Sequence, residues 1–345
     1  MTATTTATEW PGPSGGGARQ RRLRAITPTQ VARKLLTALG TLAFVVVINF
    51  FLFRVIPGDP AKAFSPRGRN ADPERLAQLR RDLGLGLPWH EQFWSYLKSL
   101  VRGNLGESWG QHRPVTAVVA GYIWPTVLLS GTALVLAAGI GMWLGSRSGW
   151  RHGTRFDKLA SSSAVTLYSV PEWLLGLVLM VALSGTGLFP VEGGMVDPRS
   201  TLPGFLDVAW HMVLPCFCLS VVYIAEYSLI MRSSMLDERY ADYLTTARAK
   251  GLRDETVMRR HALPNALLPF TTLFFLSMGF VVSGAITVET VFSWPGLGRL
   301  TYDALRGPDI PLLQGLFLIF SAAVIVMNLF ADLLYPFIDP RVRRS

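Results

Sequence analysis

Six apolar runs, each near the ~20 residues that carry a helix across a bilayer, set the terms for this chain. They are Leu35–Ile56, Ile123–Leu144, Leu159–Leu183, His211–Met231, Leu267–Thr290 and Leu312–Tyr335. Backbone in hydrocarbon finds no water, so each run must close its hydrogen bonds within itself, and the expected fold is a bundle of helices. Charge is correspondingly scarce. Only 16% of the 345 residues are Asp, Glu, Lys or Arg, against about 25% in a soluble domain, and they fall in blocks between the apolar runs. Pro171 and Glu172 interrupt the third run, which predicts a kinked helix whose freed carbonyl is satisfied by neighbours. The class implied is an all-α membrane protein with six transmembrane helices.

The formal net charge of +10 could suggest a nucleic-acid partner, but its distribution follows the positive-inside pattern and predicts none. Arg19, Arg21, Arg22, Arg24, Arg33 and Lys34 precede the first run; Arg147, Arg151, Arg155 and Lys158 follow the second. A further block runs from Arg232 to Arg260, and Arg341, Arg343 and Arg344 close the chain. The two short loops on the other side carry only Arg199, Arg299 and Arg306. Both termini are therefore expected on the cytoplasmic side of a bacterial cytoplasmic membrane. Residues 1–34 read as a disordered, basic tail without the order of a signal peptide. Residues 35–343 read as the membrane domain, with a long extracytoplasmic loop at 57–122 that holds amphipathic patterns at Asp72–Leu83 and Trp89–Leu100.

The polar stretch 235–264 does not read as a slack connector. Tyr240, Tyr243, Leu244, Ala247 and Gly251 recur at helical spacing and predict one apolar, partly small face for a partner. Lys250-Gly251 is a helix end, with glycine where a left-handed backbone is wanted. Asp254 and Glu255 suit the positive end of a second short helix, and Pro264 suits the first turn of the next apolar run. The expectation is a helix–turn–helix at the membrane surface. An interfacial helix pair without a partner is the bland alternative.

Thr246-Ala-Arg-Ala-Lys-Gly-Leu252 and, after the residues that follow, His261-Ala-Leu-Pro264 resemble the cytoplasmic EAA loop of binding-protein-dependent ABC importer permeases, in the form used by the dipeptide, oligopeptide and nickel branch. Thr245-Thr246-Ala247 stands where the general motif has Glu-Ala-Ala, and His261 where it has Ile. Pro57-Gly-Asp-Pro60, Gly103-Asn-Leu-Gly-Glu-Ser108, Glu289-Thr-Val-Phe-Ser-Trp-Pro-Gly-Leu-Gly-Arg-Leu300 and the ending Asp332 to Arg341 are similar to the B-type subunit of that branch. Asn104 and Gly86 stand where Asp is common. The resemblance implies a type I (MetI-like) importer permease working with a second homologous permease subunit, two ATP-binding cassette subunits and an extracytoplasmic solute-binding protein. It implies that Tyr243, Ala247, Arg248, Lys250, Gly251, Leu252, Leu263 and Pro264 couple the bundle to the ATPase. Arg248 and Lys250 either meet acidic groups there or stay solvated. The long loop faces the binding protein or merely caps the span ends. Peptides are the implied cargo, with nickel or another small solute as the alternative.

The chain offers no chemistry of its own to compete with that reading. It has no Gly-x-x-x-x-Gly-Lys-Ser/Thr phosphate loop, so ATP and Mg are expected on the partner ATPases and no cofactor on this chain. The five His are scattered without metal-ligand spacing, and no nucleophile elbow occurs. Cys216 and Cys218 lie one residue apart in an apolar run and read as small apolar residues rather than as a disulfide. Glu172, Glu226 and Asp332 are the main carboxylates in the spans, expected to be paired within the bundle rather than strung into a proton path. A membrane enzyme or lone secondary carrier remains the reading from another class.

Overall fold

The computed structural model describes residues 28–55, 87–184, 186–190, 194–195 and 203–338. Helix α1 (Pro28–Val55) is followed by α2 (Trp89–Val101) and a two-stranded hairpin, β1 (Glu107–Ser108) and β2 (Arg113–Pro114). Then come α3 (Val115–Trp150), α4 (Arg155–Tyr168), α5 (Glu172–Leu183), α6 (Gly204–Arg239), α7 (Asp242–Ala249), α8 (Asp254–Val257), α9 (Leu263–Val281), α10 (Ile286–Val291), α11 (Leu297–Arg306) and α12 (Ile310–Ile338). Among the described residues, five segments are long and apolar enough to cross a membrane, and the bent pair α4–α5 makes a sixth if its two helices are counted as one broken span. Six spans were expected at these places. The first helix starts at Pro28, inside the stretch read as tail.

Two of the spans end differently from the expectation. The third is a break rather than a kink: α4 and α5 meet at 92°. Pro171 is not inside a helix but caps a new one, with ψ at 132°. A proline also disfavours helical backbone in the residue before it, so the chain stops at Ser169 and restarts at Glu172. The fifth span ends at Val281. Gly284 takes a φ of +71°, and α10 then departs on its own, placing Glu289 outside the spanning helix.

The tightest packing joins α3 to α6. Both have 36 residues, roughly 54 Å at 1.5 Å per residue, so each overshoots a hydrocarbon core of ~30 Å. Gly141, Gly145 and Gly149 lie four apart on one face of α3. A Cβ on Gly141 would stand 2.5 Å from Tyr227 Cβ, one on Gly145 2.7 Å from Met231 Cβ, and one on Gly149 2.7 Å from Met235 Cβ. Lipid gives helices no hydrophobic reason to associate, so contact at this range, open only to side chains without a Cβ, supplies the attraction. Met231, Met235 and Tyr227 are themselves fully buried, in a cluster with Trp150, Phe270 and Leu134.

On the opposite end, α2 lies where an amphipathic helix was expected and packs on α1, Phe93 against Phe50 at 5.2 Å and Trp89 stacked on Phe51 at 6.2 Å. The pattern at 72–83 lies outside the described residues. Asp309, at the start of α12, fastens the hairpin: Ser108 Oγ and the Gly110 amide donate to its Oδ2 at 2.6 and 2.9 Å. Cys216 and Cys218 are buried free thiols.

Candidate coupling surface

The elbow between α6 and α9 has the local structure its residues dictate. α7 ends at Ala249 with Lys250 as its cap, and Gly251 adopts a φ of +78°, a region open to glycine and strained for most other residues. Asp254 and Glu255 open α8, which runs through a π-helical turn at Met258–Ala262 into α9. Pro264 sits in the first turn of α9. It has no N–H and crowds the carbonyl four residues back, and the widened turn before it relieves that clash.

The predicted apolar face is divided between two directions. Leu244 and Ala247 point inward, at 0% and 6% exposure, into the cluster holding Trp150, Met235, Val257 and Ala262. Leu263 packs on the same cluster. Tyr240, Tyr243, Gly251 and Leu252 are exposed, together with Thr245, Thr246, Arg248, Ala249, Lys250 and Pro264. The reading of Ala247 as part of an outward face is therefore corrected: α7 is only eight residues long, and its narrow apolar stripe is used up by the chain's own core. What points outward is the turn, 249–253, with the polar side of α7.

Side chains lock the elbow to its base. The Tyr243 hydroxyl donates to the Glu238 carboxylate, lies 3.3 Å from the His261 carbonyl and accepts from Asn265 Nδ2 at 2.8 Å. Trp150 Nε1, at the end of α3, donates to Asp254 Oδ2 at 2.7 Å. The Arg248 guanidinium covers the Trp150 ring at 5.5 Å and lies 3.6 Å from Asp254. Arg248 thus already has a partner inside the chain, whereas Lys250 extends from the turn.

Beneath this lies an ionic knot not anticipated from the sequence. Asp157 on α4 is 2% exposed and receives Arg232 of α6 in a two-pronged pair, Nε to Oδ1 at 2.6 Å and Nη2 to Oδ2 at 3.0 Å. Ser148 Oγ of α3, Ser161 Oγ and the Gly153 amide also donate to it, at 2.6, 3.1 and 2.9 Å, with His152 Nδ1 at 3.0 Å. One carboxylate so ties three helices together directly below the elbow. The pattern Thr154-x-x-Asp157, a helix-start signature, was legible: the Asp157 amide donates to Thr154 Oγ1 at 3.3 Å. The convergence of Arg232 was not.

A second knot sits at the other end. Glu289, wholly buried, accepts from Thr126 Oγ1 and the Arg299 amide, both at 3.1 Å. Burial pushes its carboxyl up to about 7 against the pull of those bonds. Trp294 Nε1 donates to the Pro125 carbonyl at 2.9 Å. The turn at Pro295–Gly296 and the close approach at Gly298 are as expected, since a Cβ on Gly298 would stand 2.7 Å from Ile286 Cα. Of the three carboxylates read as paired, Asp332 meets Lys34 at 3.6 Å and Glu172 accepts from Thr287 Oγ1 at 3.3 Å. Neither Glu172 nor Glu226 has an ion-pair partner among the described residues, which corrects the expectation for both, and Glu226 has no hydrogen-bond donor either.

Residues 137–344 match the family described as "Binding-protein-dependent transport system inner membrane component", and residues 29–124 match the N-terminal membrane component of such systems. The chain belongs to that permease family. Among similar proteins, "Glutathione transport system permease protein GsiC" of Pectobacterium atrosepticum is 38% identical over 90% of this chain and 97% of its own length. "Dipeptide transport system permease protein DppB" of Escherichia coli is 35% identical over 91% and 98%. "Probable peptide ABC transporter permease protein y4tP" of Sinorhizobium fredii is 34% identical over the same shares. A solved amino acid ABC transporter "with histidines" aligns over 66% of this chain and 94% of its own at 16% identity and a TM-score of 0.44, too remote to argue from.

Proposed function

We propose that this chain is one of two permease subunits of an ATP-driven importer of short peptides. A solute-binding protein delivers the peptide to the outer face, and two ATP-binding cassette subunits engage the elbow at 242–264 and hydrolyse ATP. Both termini lie on the cytoplasmic side, with the elbow. The observation that carries the reading is the two-sided elbow: its inner side chains are bonded to α3, α6 and α9, while the turn at 249–253 is exposed. A partner that pulls on the turn moves three spans together, provided its contact differs in strength between the inward and outward states. Peptide cargo is supported by relatives named for glutathione and dipeptide transport.

The test is reconstitution of this chain with its second permease, ATPases and binding protein in proteoliposomes. The expected outcome is ATP-dependent uptake of labelled alanyl-alanine or glutathione, lost when either the ATPases or the binding protein is omitted. Uptake at an unchanged rate by this chain without ATPases would turn the reading into a lone carrier.

A further inference from the structure

A cavity of about 240 Å³ opens between α3, α6 and α9. Its walls are largely apolar, Leu134, Leu273 and Phe280 among them, and Leu276 and Phe280 at its margin are 42% and 54% exposed. Into this setting α6 places the Glu226 carboxylate, with Tyr223 and Ser277 beside it and Ser130 on the facing helix. Two features single the site out from the other carboxylates of the bundle. Asp157 and Asp332 each have a cation of this chain within ion-pair distance, and Glu172 and Glu289, which have none, accept hydrogen bonds from Thr287 and from Thr126 and the Arg299 amide; Glu226 has neither a cation nor a hydrogen-bond donor among the described residues. Ser130 is 5% exposed, yet its Oγ finds no hydrogen-bond partner among the described residues.

A carboxylate held away from bulk water is costly to ionise unless a cation meets it, and an orphaned buried hydroxyl wants a donor or acceptor. The geometry points to this cavity as a site for the protonated amine of a transported solute, the ammonium pairing with Glu226 and hydrogen bonding to Ser130 Oγ. This assignment rests on the peptide reading above, in which every cargo molecule presents an N-terminal ammonium. A divalent metal ion is a poorer occupant: no group of three His, Cys, Asp or Glu occurs among the described residues, and such ions take several ligands of that kind. The apolar walls suit the peptide's carbon skeleton, and one unpaired carboxylate suits an amine regardless of the neighbouring side chain, as a general peptide path requires.

The complete reconstituted transporter carries the test, with alanyl-alanine as the probe. Glu226→Gln keeps the shape and removes the charge. It should cut uptake tenfold or more while the ATPase subunits and the second permease still co-purify with it in unchanged amounts, which shows the complex assembled. Glu226→Asp should recover part of the lost uptake, and Ser130→Ala should lower uptake two- to threefold. Equal uptake by Glu226→Gln and the unmodified complex would overturn the assignment and leave the peptide reading intact. Equal loss in the Asp and Gln variants would overturn it too, since shape rather than charge would then matter. If the unmodified complex imports no peptide, the peptide reading falls first and this assignment with it.

Discussion

At the scale of single residues, the elbow separates three effects that the sequence pattern merges. Ala247 lies inside the chain's own core, so Ala247→Arg places an unpaired charge in an apolar cluster, at a cost of about 3–5 kcal/mol. The purified permease alone should melt at a clearly lower temperature in detergent, with no ATPase present. Arg248→Ala loses only a half-exposed pair with Asp254 and its cover over Trp150, together about 1 kcal/mol. Gly251→Val meets no steric obstacle, since nothing lies within 4 Å of a Cβ there. It pays instead for a positive φ, on the order of 1–3 kcal/mol, and should reshape the exposed turn and weaken ATPase pull-down more than it lowers the melting temperature. If Ala247→Arg melts like the unmodified protein, the inward placement of that face is wrong.

At the scale of elements, the α3–α6 pair is where the bundle is least forgiving. Gly145 has the Met231 side chain and α6 backbone against it, whereas Gly139 on the same helix has open space around it. Gly145→Ala should therefore destabilise by roughly 1–3 kcal/mol, the range seen for overpacking. Gly139→Ala should be neutral or stabilising by up to about 1 kcal/mol, through helix propensity. Paired melting curves decide it; a shift of the same sign in both variants would mean that the close approach is not what holds the pair. The repeat Gly141, Gly145, Gly149 was present in the sequence, but glycine spacing alone does not say which helix it faces. The break at Pro171 shows the same limit, since a proline marks an interruption without fixing the angle beyond it.

At the scale of the whole molecule, the elbow and the α2 segment lie at opposite ends of the spans. With the elbow on the cytoplasmic side, a cysteine at exposed Ser95 of α2 should react with an impermeant thiol reagent in intact cells, and one at exposed Ala249 should not. Native Cys216 and Cys218, buried in the bundle, should stay silent in both. Labelling of Ala249→Cys from outside would invert the molecule and remove the elbow from any cytoplasmic partner.

The sequence determined the properties that depend on local composition. These were the places of the apolar spans, the blocks of basic charge between them, the left-handed turn at Gly251, the short helix opened by Asp254 and the proline at the head of α9. Each follows from hydrophobic run length, charge placement or backbone conformation, which neighbours along the chain settle by themselves. The tertiary structure alone decided which side chains meet. Arg232 and Asp157 are 75 positions apart, Thr126 and Glu289 163, and no periodicity links residues at such separations. It also decided that Ala247 faces inward and that Glu226 stands without a cation. Inward and outward on an eight-residue helix depend on what packs against it, and a carboxylate's partner depends on which helices the bundle brings alongside.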